Sequence, residues 1–184
     1  MTLSKQLQGS AQAETWTHSE DDACLDLLAG DDELDDSGKR TVILAGEGDD
    51  AIHVVASAYV AGGPGDDFLE ALAGGAELDG GPGADTIHTY GGHHIITPGE
   101  GADTVIGGAG NIVVQILDAC ELQAGESLVG NGPDDTLVIP VSPSSAAALG
   151  VTISGFEHVR VTGPTCASAC AAFGCEPGLA GQEG

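Results

Sequence analysis

Basic side chains are almost missing from this sequence of 184 residues. Acidic residues number 29, and the formal net charge is −25. Residues 41–159 contain no Lys or Arg, because the four basic residues are Lys5, Lys39, Arg40 and Arg160. Nucleic acids and anionic membrane surfaces are bound through basic patches, so we expect no nucleic-acid partner. The same charge attracts divalent cations, which makes calcium ions a candidate partner.

Aromatic residues and long apolar runs are also scarce. Aromatic side chains make up 3% of the residues, while glycine occurs 30 times. A core built from a few large rings is therefore excluded, and many small aliphatic contacts must replace it. No run approaches the ~18 apolar residues that cross a bilayer, so we expect no membrane span. Residues 1–16 lack the apolar central segment of a Sec-type signal peptide.

Motifs typical of enzymes are missing as well. The sequence contains no Gly-x-Ser-x-Gly elbow, no His-Glu-x-x-His and no phosphate-binding loop. Acid pairs such as Asp66-Asp67 resemble a hydrolase dyad, but their recurrence along the chain favours cation ligands. We therefore predict that the protein is not an enzyme. The alternative, an enzyme that uses histidines on the repeat, would be supported if replacing His93 and His94 together abolished an activity.

What the sequence does contain is a nine-residue repeat over residues 62–115. Split into nines, this stretch reads GGPGDDFLE, ALAGGAELD, GGPGADTIH, TYGGHHIIT, PGEGADTVI and GGAGNIVVQ. Every second unit follows or approaches the pattern Gly-Gly-x-Gly-x-Asp-x-apolar-x. The positions that return at 18-residue intervals are Gly65, Gly83 and Gly101, Asp67, Asp85 and Asp103, and Leu69, Ile87 and Val105. The units between them carry Ala76, His94 and Ile112 in place of the aspartate. Such a fixed period is stronger evidence for the fold than the local helix or strand propensity of the residues.

Each unit predicts a tight turn followed by a short strand. Glycines at the second and fourth places permit positive φ and a close approach of two backbones. The x-apolar-x segment alternates outward and inward side chains, as a strand does. Two units make one coil, and stacked coils align like residues about 4.8 Å apart. The sequence thus predicts an all-β fold, a right-handed flattened β-helix or solenoid of two parallel sheets. The predicted core ladders are Ile52-Leu69-Ile87-Val105 and Leu78-Ile96-Val114.

The aspartate column predicts bound cations. Aspartates stacked at strand spacing repel one another, and the arrangement becomes favourable if a cation lies between adjacent turns. Carboxylates and the backbone carbonyls of glycine turns offer only oxygen ligands. A flexible all-oxygen cage suits Ca²⁺ better than Mg²⁺.

The motif resembles the calcium-binding nonapeptide of the RTX (repeats-in-toxin, haemolysin-type) family, over residues 28–138. The resemblance implies a parallel β-roll that holds Ca²⁺ between successive turns on one edge. It implies carboxylate ligands at Asp50, Asp67, Asp85 and Asp103. It implies carbonyl ligands around Gly46, Gly48, Gly63, Gly65, Gly81, Gly83, Gly99 and Gly101. It also implies export without a Sec signal peptide, by a type I-like route.

The repeat sets the predicted boundaries within the chain. Asp32 lies 18 residues before Asp50 and indicates a first coil, whereas Asp67 follows Asp50 after 17 and indicates an irregular turn between them. The register breaks after the last regular unit and returns at Asp135. The expected segments are a mobile N-terminal tail over residues 1–25, the β-roll over 26–140, capping strands over 141–163 and a cysteine-containing tail over 164–184.

Histidines are candidate ligands for a second kind of site. His53 and His88 flank Glu70 in one outward column, which indicates an exposed polar ladder, because two strand spacings separate the rings. His93 and His94 lie in a turn without aspartate, and two adjacent histidines are too few for a transition-metal site of three or four ligands.

Five cysteines in an acidic chain favour an oxidising compartment over a zinc site. Cys166, Cys170 and Cys175 have no nearby histidine to complete a tetrahedral set, so we expect a disulfide in the tail. The pairing is not deducible from spacing. An odd count leaves at least one thiol free or intermolecular.

These observations predict a calcium-binding β-roll protein, extracellular or at the cell surface, that folds and is stabilised with Ca²⁺. One alternative is a stabilising or secretion module of a larger RTX toxin or hydrolase, which a neighbouring type I exporter gene would favour. Another is a structural adhesin or surface-layer component. Self-association or cell binding that depends on Ca²⁺ would favour that alternative.

Overall fold

The computed structural model describes residues 5–163, which form a β-solenoid of about nine turns. Within that range, 17 strands and one short helix follow one another. In chain order the elements are β1 (Lys5–Gln8), β2 (Thr15–His18), β3 (Ala23–Asp26), β4 (Glu33–Asp36), β5 (Thr41–Leu44), β6 (Ala51–Val54), β7 (Ala58–Ala61), β8 (Phe68–Ala71), β9 (Glu77–Pro82), β10 (Thr86–Thr89), β11 (His93–Glu100), β12 (Thr104–Ile106), β13 (Asn111–Gln115), β14 (Ser127–Val129), β15 (Thr136–Ile139), α1 (Pro143–Ala148), β16 (Thr152–Ser154) and β17 (His158–Val161). The predicted all-β fold of stacked parallel coils is confirmed.

Odd and even strands separate into two sheets. The odd strands β1 to β17 form a nine-stranded sheet, and the even strands β2 to β16 form an eight-stranded sheet. Every pairing is parallel and joins strands of successive coils. We call the turns that lead from an odd strand to the next even strand the aspartate edge. The turns that lead from an even strand to the next odd strand form the opposite edge.

The core consists of inward side chains, mostly aliphatic, that stack from coil to coil. In the eight-stranded sheet Ile52 pairs with Leu69 and Leu69 with Ile87, and all three are fully buried. Val105 extends this ladder, while Leu78, Ile96 and Val114 form its counterpart in the other sheet. Each fully buried Leu or Ile side chain contributes about 1.5–3 kcal/mol relative to an exposed one. Both predicted ladders are therefore confirmed in register and in direction.

Glycines set the distance between successive turns on the aspartate edge. Gly63 and Gly65 have φ of 111° and 147°, a region that strains residues with a Cβ. A Cβ on Gly63 would also collide with the carbonyl oxygen of Gly46, and one on Gly65 with that of Gly48. The same positive φ recurs at Gly46, Gly48, Gly81, Gly83, Gly99 and Gly101. The turns therefore stack with each second- or fourth-place carbonyl oxygen directed at the next coil.

The predicted N-terminal tail is wrong for the described part of residues 1–25. Lys5–Gln8 pairs with Ala23–Asp26, and Thr15–His18 pairs with Glu33–Asp36, so a coil precedes the one that contains Asp32. These strands carry few glycines and only a short alternation of inward residues, Trp16 and Leu25 among them. Without the glycine signature the coil was indistinguishable from a polar segment.

Beyond the regular repeat, the chain adds a helix and the last strand of each sheet. Ser142 caps α1 by accepting the backbone N–H of Ser145, and Pro143 occupies the first turn, where its missing N–H is not needed. Thr152–Ser154 and His158–Val161 then extend the two sheets. The predicted cysteine tail over 164–184, with its disulfide, lies outside the described residues. Cys24, on β3, has a free thiol. Among residues 5–163 no helix has the length and hydropathy of a membrane span.

Candidate metal centre

Five aspartates line up along the aspartate edge, one in each of five successive coils. We call this set the aspartate row: Asp32, Asp50, Asp67, Asp85 and Asp103. Each one is the last turn residue before an even strand. All five are at most 2% exposed, although an ionised carboxylate is seldom buried without a partner. The predicted carboxylate ligands Asp50, Asp67, Asp85 and Asp103 therefore lie in one column, and Asp32 extends it by one coil.

One oxygen of each aspartate joins two coils. The Oδ1 atom of Asp67 accepts the backbone N–H of Asp50 at 2.8 Å, and that of Asp85 accepts the N–H of Asp67 at 2.9 Å. The same bond runs from Asp85 to Asp103, from Asp32 to Asp50 and from Glu14 to Asp32. A buried N–H at every turn thus has a partner, which explains why an acceptor side chain is required at this place.

The second oxygen of each aspartate has no hydrogen-bond partner. The Oδ2 atoms of all five members of the row are buried and unpaired. They face the start of their own turn: a Cβ on Gly62 would collide with Oδ2 of Asp67, and one on Gly80 with Oδ2 of Asp85. Buried polar atoms are nearly always satisfied, so five equivalent unpaired oxygens in one column are an unusual feature of this edge.

The row is electrostatically unfavourable when nothing is bound. Burial raises the pKa of Asp67 and Asp85 to about 7, and that of Asp50 and Asp103 to about 6. Hydrogen bonds from the backbone oppose this shift, whereas neighbouring acidic groups add to it. No Lys or Arg within residues 41–159 offsets the charge. At neutral pH the folded chain therefore holds a column of poorly solvated, partly ionised carboxyl groups.

The glycines predicted to supply carbonyl ligands lie in the same turns as the row. Gly46, Gly63, Gly81 and Gly99 form one column, and Gly48, Gly65, Gly83 and Gly101 form a second. The carbonyl oxygens of the six glycines from Gly46 to Gly83 point along the stack, because each lies close to the Cβ position of the glycine one coil further on. The twelve predicted site residues therefore lie together on one edge of the solenoid.

A second, exposed row of aspartates runs beside the buried one. Asp31, Asp49 and Asp66 occupy the fifth place of their turns. Asp31 accepts the N–H of Asp49, Asp49 accepts that of Asp66, and Asp66 accepts that of Ala84. The pairs of adjacent acids in the sequence, such as Asp66-Asp67, thus divide into one surface carboxylate and one buried carboxylate.

Glu126 is a buried acid of this edge that the sequence pattern missed. Ser127 pairs with Thr104, so Glu126 stands in the column directly after Asp103. It is 1% exposed. Burial, and to a lesser extent the negative charge of Asp103, raises the pKa of Glu126 to about 8. The long connection between β13 and β14 hid it, because that segment lacks the Gly-Gly-x-Gly turn from which the register is read.

On the opposite edge, too, side chains accept buried backbone N–H groups, but no carboxylate oxygen is left unpaired. His94 accepts the N–H of Ala76 through Nδ1 at 3.2 Å and donates from Nε2 to the carbonyl oxygen of Gly91 at 2.6 Å. Asp135 lies on this edge, where Oδ1 accepts the N–H of Ile112 and Oδ2 that of Gly132. In residues 5–163, every buried carboxylate oxygen without a partner belongs to the aspartate edge.

The histidine ligand hypotheses receive little support from this geometry. Both ring nitrogens of His94 are engaged, and burial lowers its pKa, so the ring is neutral and has no free lone pair for a metal. His53 and His88 lie on the outer face of the eight-stranded sheet, with Glu70 between them as predicted. His53 is 2.9 Å from a Glu70 carboxylate oxygen. No three His, Cys, Asp or Glu side chains within the described chain converge closely enough to share one metal.

Fold and site together define a repeat β-solenoid with a column of buried acids on one edge. Comparison with protein-family models, with curated proteins and with solved structures finds no match to this chain. The resemblance to the calcium-binding nonapeptide therefore depends on the repeat motif itself.

Proposed function

We propose that this protein is a calcium-binding β-roll in which Ca²⁺ lies between successive turns of the aspartate edge. The observation that carries the proposal is the unpaired, buried Oδ2 atom present in each of five successive coils. Neighbouring members of the row share sites, at Asp50/Asp67, Asp67/Asp85 and Asp85/Asp103, with a fourth at Asp32/Asp50. Carbonyl oxygens of the second- and fourth-place glycines complete the ligand sets.

Charge gives the thermodynamic reason for a cation. Two carboxylates about 5 Å apart repel each other by about 3 kcal/mol at an effective dielectric constant near 20. Such a repulsion recurs at each step of the row, and the surrounding sequence provides no Lys or Arg to offset it. A divalent cation between two turns adds two attractions that outweigh each repulsion, and it satisfies the unpaired oxygens at the same time.

The donor set favours Ca²⁺ among the common cations. Carboxylate and carbonyl oxygens are hard ligands, which disfavours Zn²⁺ and Cu²⁺ relative to Ca²⁺. Glycine turns give a cage that adapts to six to eight oxygens, whereas Mg²⁺ demands near-octahedral geometry and sheds its waters reluctantly. Sites with only two carboxylates belong to the weaker class that extracellular modules use at high calcium concentration. We therefore place the protein outside the cell or on its surface.

Binding would also order the fold. A gap between two turns exists only when both coils are formed, so the free energy of binding adds to the free energy of folding. Each coil contacts only its neighbours, and sites share aspartates, so calcium uptake should be cooperative along the stack. In this proposal cation binding and the ordering that follows are the protein's chemistry, and no catalytic step is assigned.

Calorimetric titration of the full chain with Ca²⁺ tests the proposal. Asp67→Asn and Asp66→Asn form a matched pair, because the two residues are adjacent in one turn and each variant removes one charge. We expect Asp67→Asn to weaken binding by about tenfold or more, since it alters two shared sites, and Asp66→Asn to leave binding nearly unchanged. No heat of binding in the wild type, or equal losses in both variants, would overturn the proposal.

A further inference from the structure

Glu126 differs from every member of the aspartate row in how its carboxylate is held. Both Oε1 and Oε2 are buried without a hydrogen-bond partner, whereas each aspartate leaves only Oδ2 unpaired. The backbone N–H of Gln123 favours the charged form of this carboxylate, but burial outweighs it and the pKa of Glu126 is raised. A side chain that is 1% exposed and has both carboxylate oxygens unpaired is an outlier among buried acids.

The backbone fixes this carboxylate next to the last aspartate of the row. Ser127 donates its N–H to the carbonyl oxygen of Asp103 at 2.7 Å, and Thr152 donates to that of Glu126 at 2.8 Å. Glu126 is therefore locked into the column by the coils on both sides. The unpaired Oδ2 of Asp103 lies in the same column one coil earlier.

A third acid adds negative charge to this end of the row. Glu121 interacts electrostatically with both Asp103 and Glu126, and its own carboxylate accepts the N–H of Leu117 at 2.8 Å. Asp103 and Glu126 thus present three unpaired oxygens from adjacent coils, beside the charge of Glu121 and with no Lys or Arg in residues 41–159.

We propose that Glu126 and Asp103 hold a further divalent cation, a closing site for the row that lies outside the nonapeptide motif. This inference depends on the calcium-binding function proposed above. Glu126 binds through both oxygens, because neither is used by the backbone, and Asp103 contributes Oδ2. A bidentate carboxylate matches Ca²⁺, which accepts such ligands in its flexible coordination sphere, better than Mg²⁺. The last regular turn is thereby joined to the irregular coil that follows it.

Native mass spectrometry of the full chain in Ca²⁺ tests this site by counting bound ions. Glu126→Gln preserves shape and removes the charge, and we expect it to bind one ion fewer than the wild type. Glu77→Gln removes one charge from an exposed position on β9 and should keep the full count. If Glu126 is only a buried neutral acid, Glu126→Gln will keep every ion, and this inference is then wrong even though the aspartate sites stand.

Two other outcomes are decisive as well. A wild-type chain that binds no Ca²⁺ overturns the proposed function together with this site. If Glu126→Gln does not fold, Glu126→Asp retains the charge but shortens the reach. It should then raise the calcium concentration needed for the last ion by at least about tenfold, the lower end of losses seen when support for a ligand is removed. An unchanged concentration in Glu126→Asp contradicts the site.

Discussion

On the aspartate edge, the side chain at the sixth place of a turn accepts one backbone N–H and leaves its other oxygen unpaired. On the opposite edge, His94 and Asp135 use both of their polar atoms within the protein. On both edges, a buried backbone N–H of the preceding coil needs a hydrogen-bond acceptor. The two edges therefore differ in whether the fold itself uses both oxygens of a buried carboxylate.

Asp36 supports the same distinction near the N-terminal end of the opposite edge. Its Oδ1 atom accepts the N–H of Gly38 and lies 2.7 Å from Nδ1 of His18, while Oδ2 accepts the hydroxyl of Thr41. A buried aspartate can therefore be fully satisfied by this solenoid. The unpaired oxygens of the aspartate row are not an unavoidable result of burying an acid between two sheets.

Removing calcium should give the largest loss of fold stability. It should act through the aspartate edge alone. Three sites, each at a calcium concentration 100 times its dissociation constant, would together stabilise the fold by about 8 kcal/mol. We expect the chelated chain at neutral pH and low salt to lose most of its β signal in circular dichroism and to recover it steeply with Ca²⁺. Mg²⁺ at the same concentration should restore little. Identical spectra and melting temperatures with and without chelator would contradict the coupling of metal to fold.

Asp85→Asn and Asp135→Asn compare one aspartate from each edge. Asparagine at position 85 can still accept the N–H of Asp67, but it removes a charged ligand from two sites. We expect its calcium response to fall while its chelated form becomes more stable at pH 8. At position 135 the amide NH₂ cannot accept the N–H of Gly132, so stability should fall by about 1–3 kcal/mol with or without Ca²⁺. Thermal melts of both variants in Ca²⁺ and in chelator distinguish the two patterns.

The pH dependence of stability should have opposite signs with and without calcium. In the chelated protein, Asp67 and Asp85 have pKa values raised to about 7, above the usual value of 3.8 in the unfolded chain. Between those values the folded state keeps protons that the unfolded state releases, so stability falls as pH rises, by up to about 1.4 kcal/mol per pH unit per group. The chelated protein should therefore keep more of its β signal in circular dichroism at pH 5 than at pH 8.

Calcium should reverse this order, because Ca²⁺ binds the deprotonated carboxylates that a higher pH provides. Melting temperatures measured between pH 5 and pH 8 in saturating Ca²⁺ check this result. A chelated protein whose stability rises over the same interval would show that the row is not held in the unfavourable state described above.

His94→Ala should have the smallest effect on calcium binding. It tests whether the opposite edge is independent of the aspartate edge. The change leaves the N–H of Ala76 and the carbonyl oxygen of Gly91 without their partner, which costs about 1–3 kcal/mol for a buried group. Calcium affinity should stay within about twofold of the wild type, since His94 lies on the other edge. Calorimetry and chemical denaturation of the variant measure the two quantities separately. A marked loss of calcium affinity would show that the edges are not independent.

The sequence predicted those parts of the fold that a strict period controls. The ladder Ile52-Leu69-Ile87 and the positive φ at Gly63 and Gly65 follow from the repeat, because the same turn can be stacked only if the same residues return at the same places. The aspartate row was predicted for the same reason. The burial of the row and its unpaired oxygens are visible only in the structure, because a repeat pattern does not reveal which side-chain atoms accept backbone hydrogen bonds.

Features without the glycine signature were missed for a corresponding reason. The turns of the coil that contains Trp16 and His18 lack the Gly-x-Gly pattern, and the pair His18–Asp36 stabilises this coil by a contact across 18 residues. Glu126 follows a connection of irregular length, so its column could not be counted from the repeat. Asp135 matches the motif in sequence yet lies on the opposite edge, because that connection shifts the chain by half a coil.

The most direct test of this account is an anomalous-difference map from crystals grown in Ca²⁺. We predict a row of peaks along the aspartate edge, between the coils of Asp50 and Asp67, of Asp67 and Asp85, and of Asp85 and Asp103. No peak should occur beside His94 or Asp135 on the opposite edge. Peaks of equal height on both edges, or none between the aspartates of the row, would contradict the claim that the unpaired oxygens mark the cation sites.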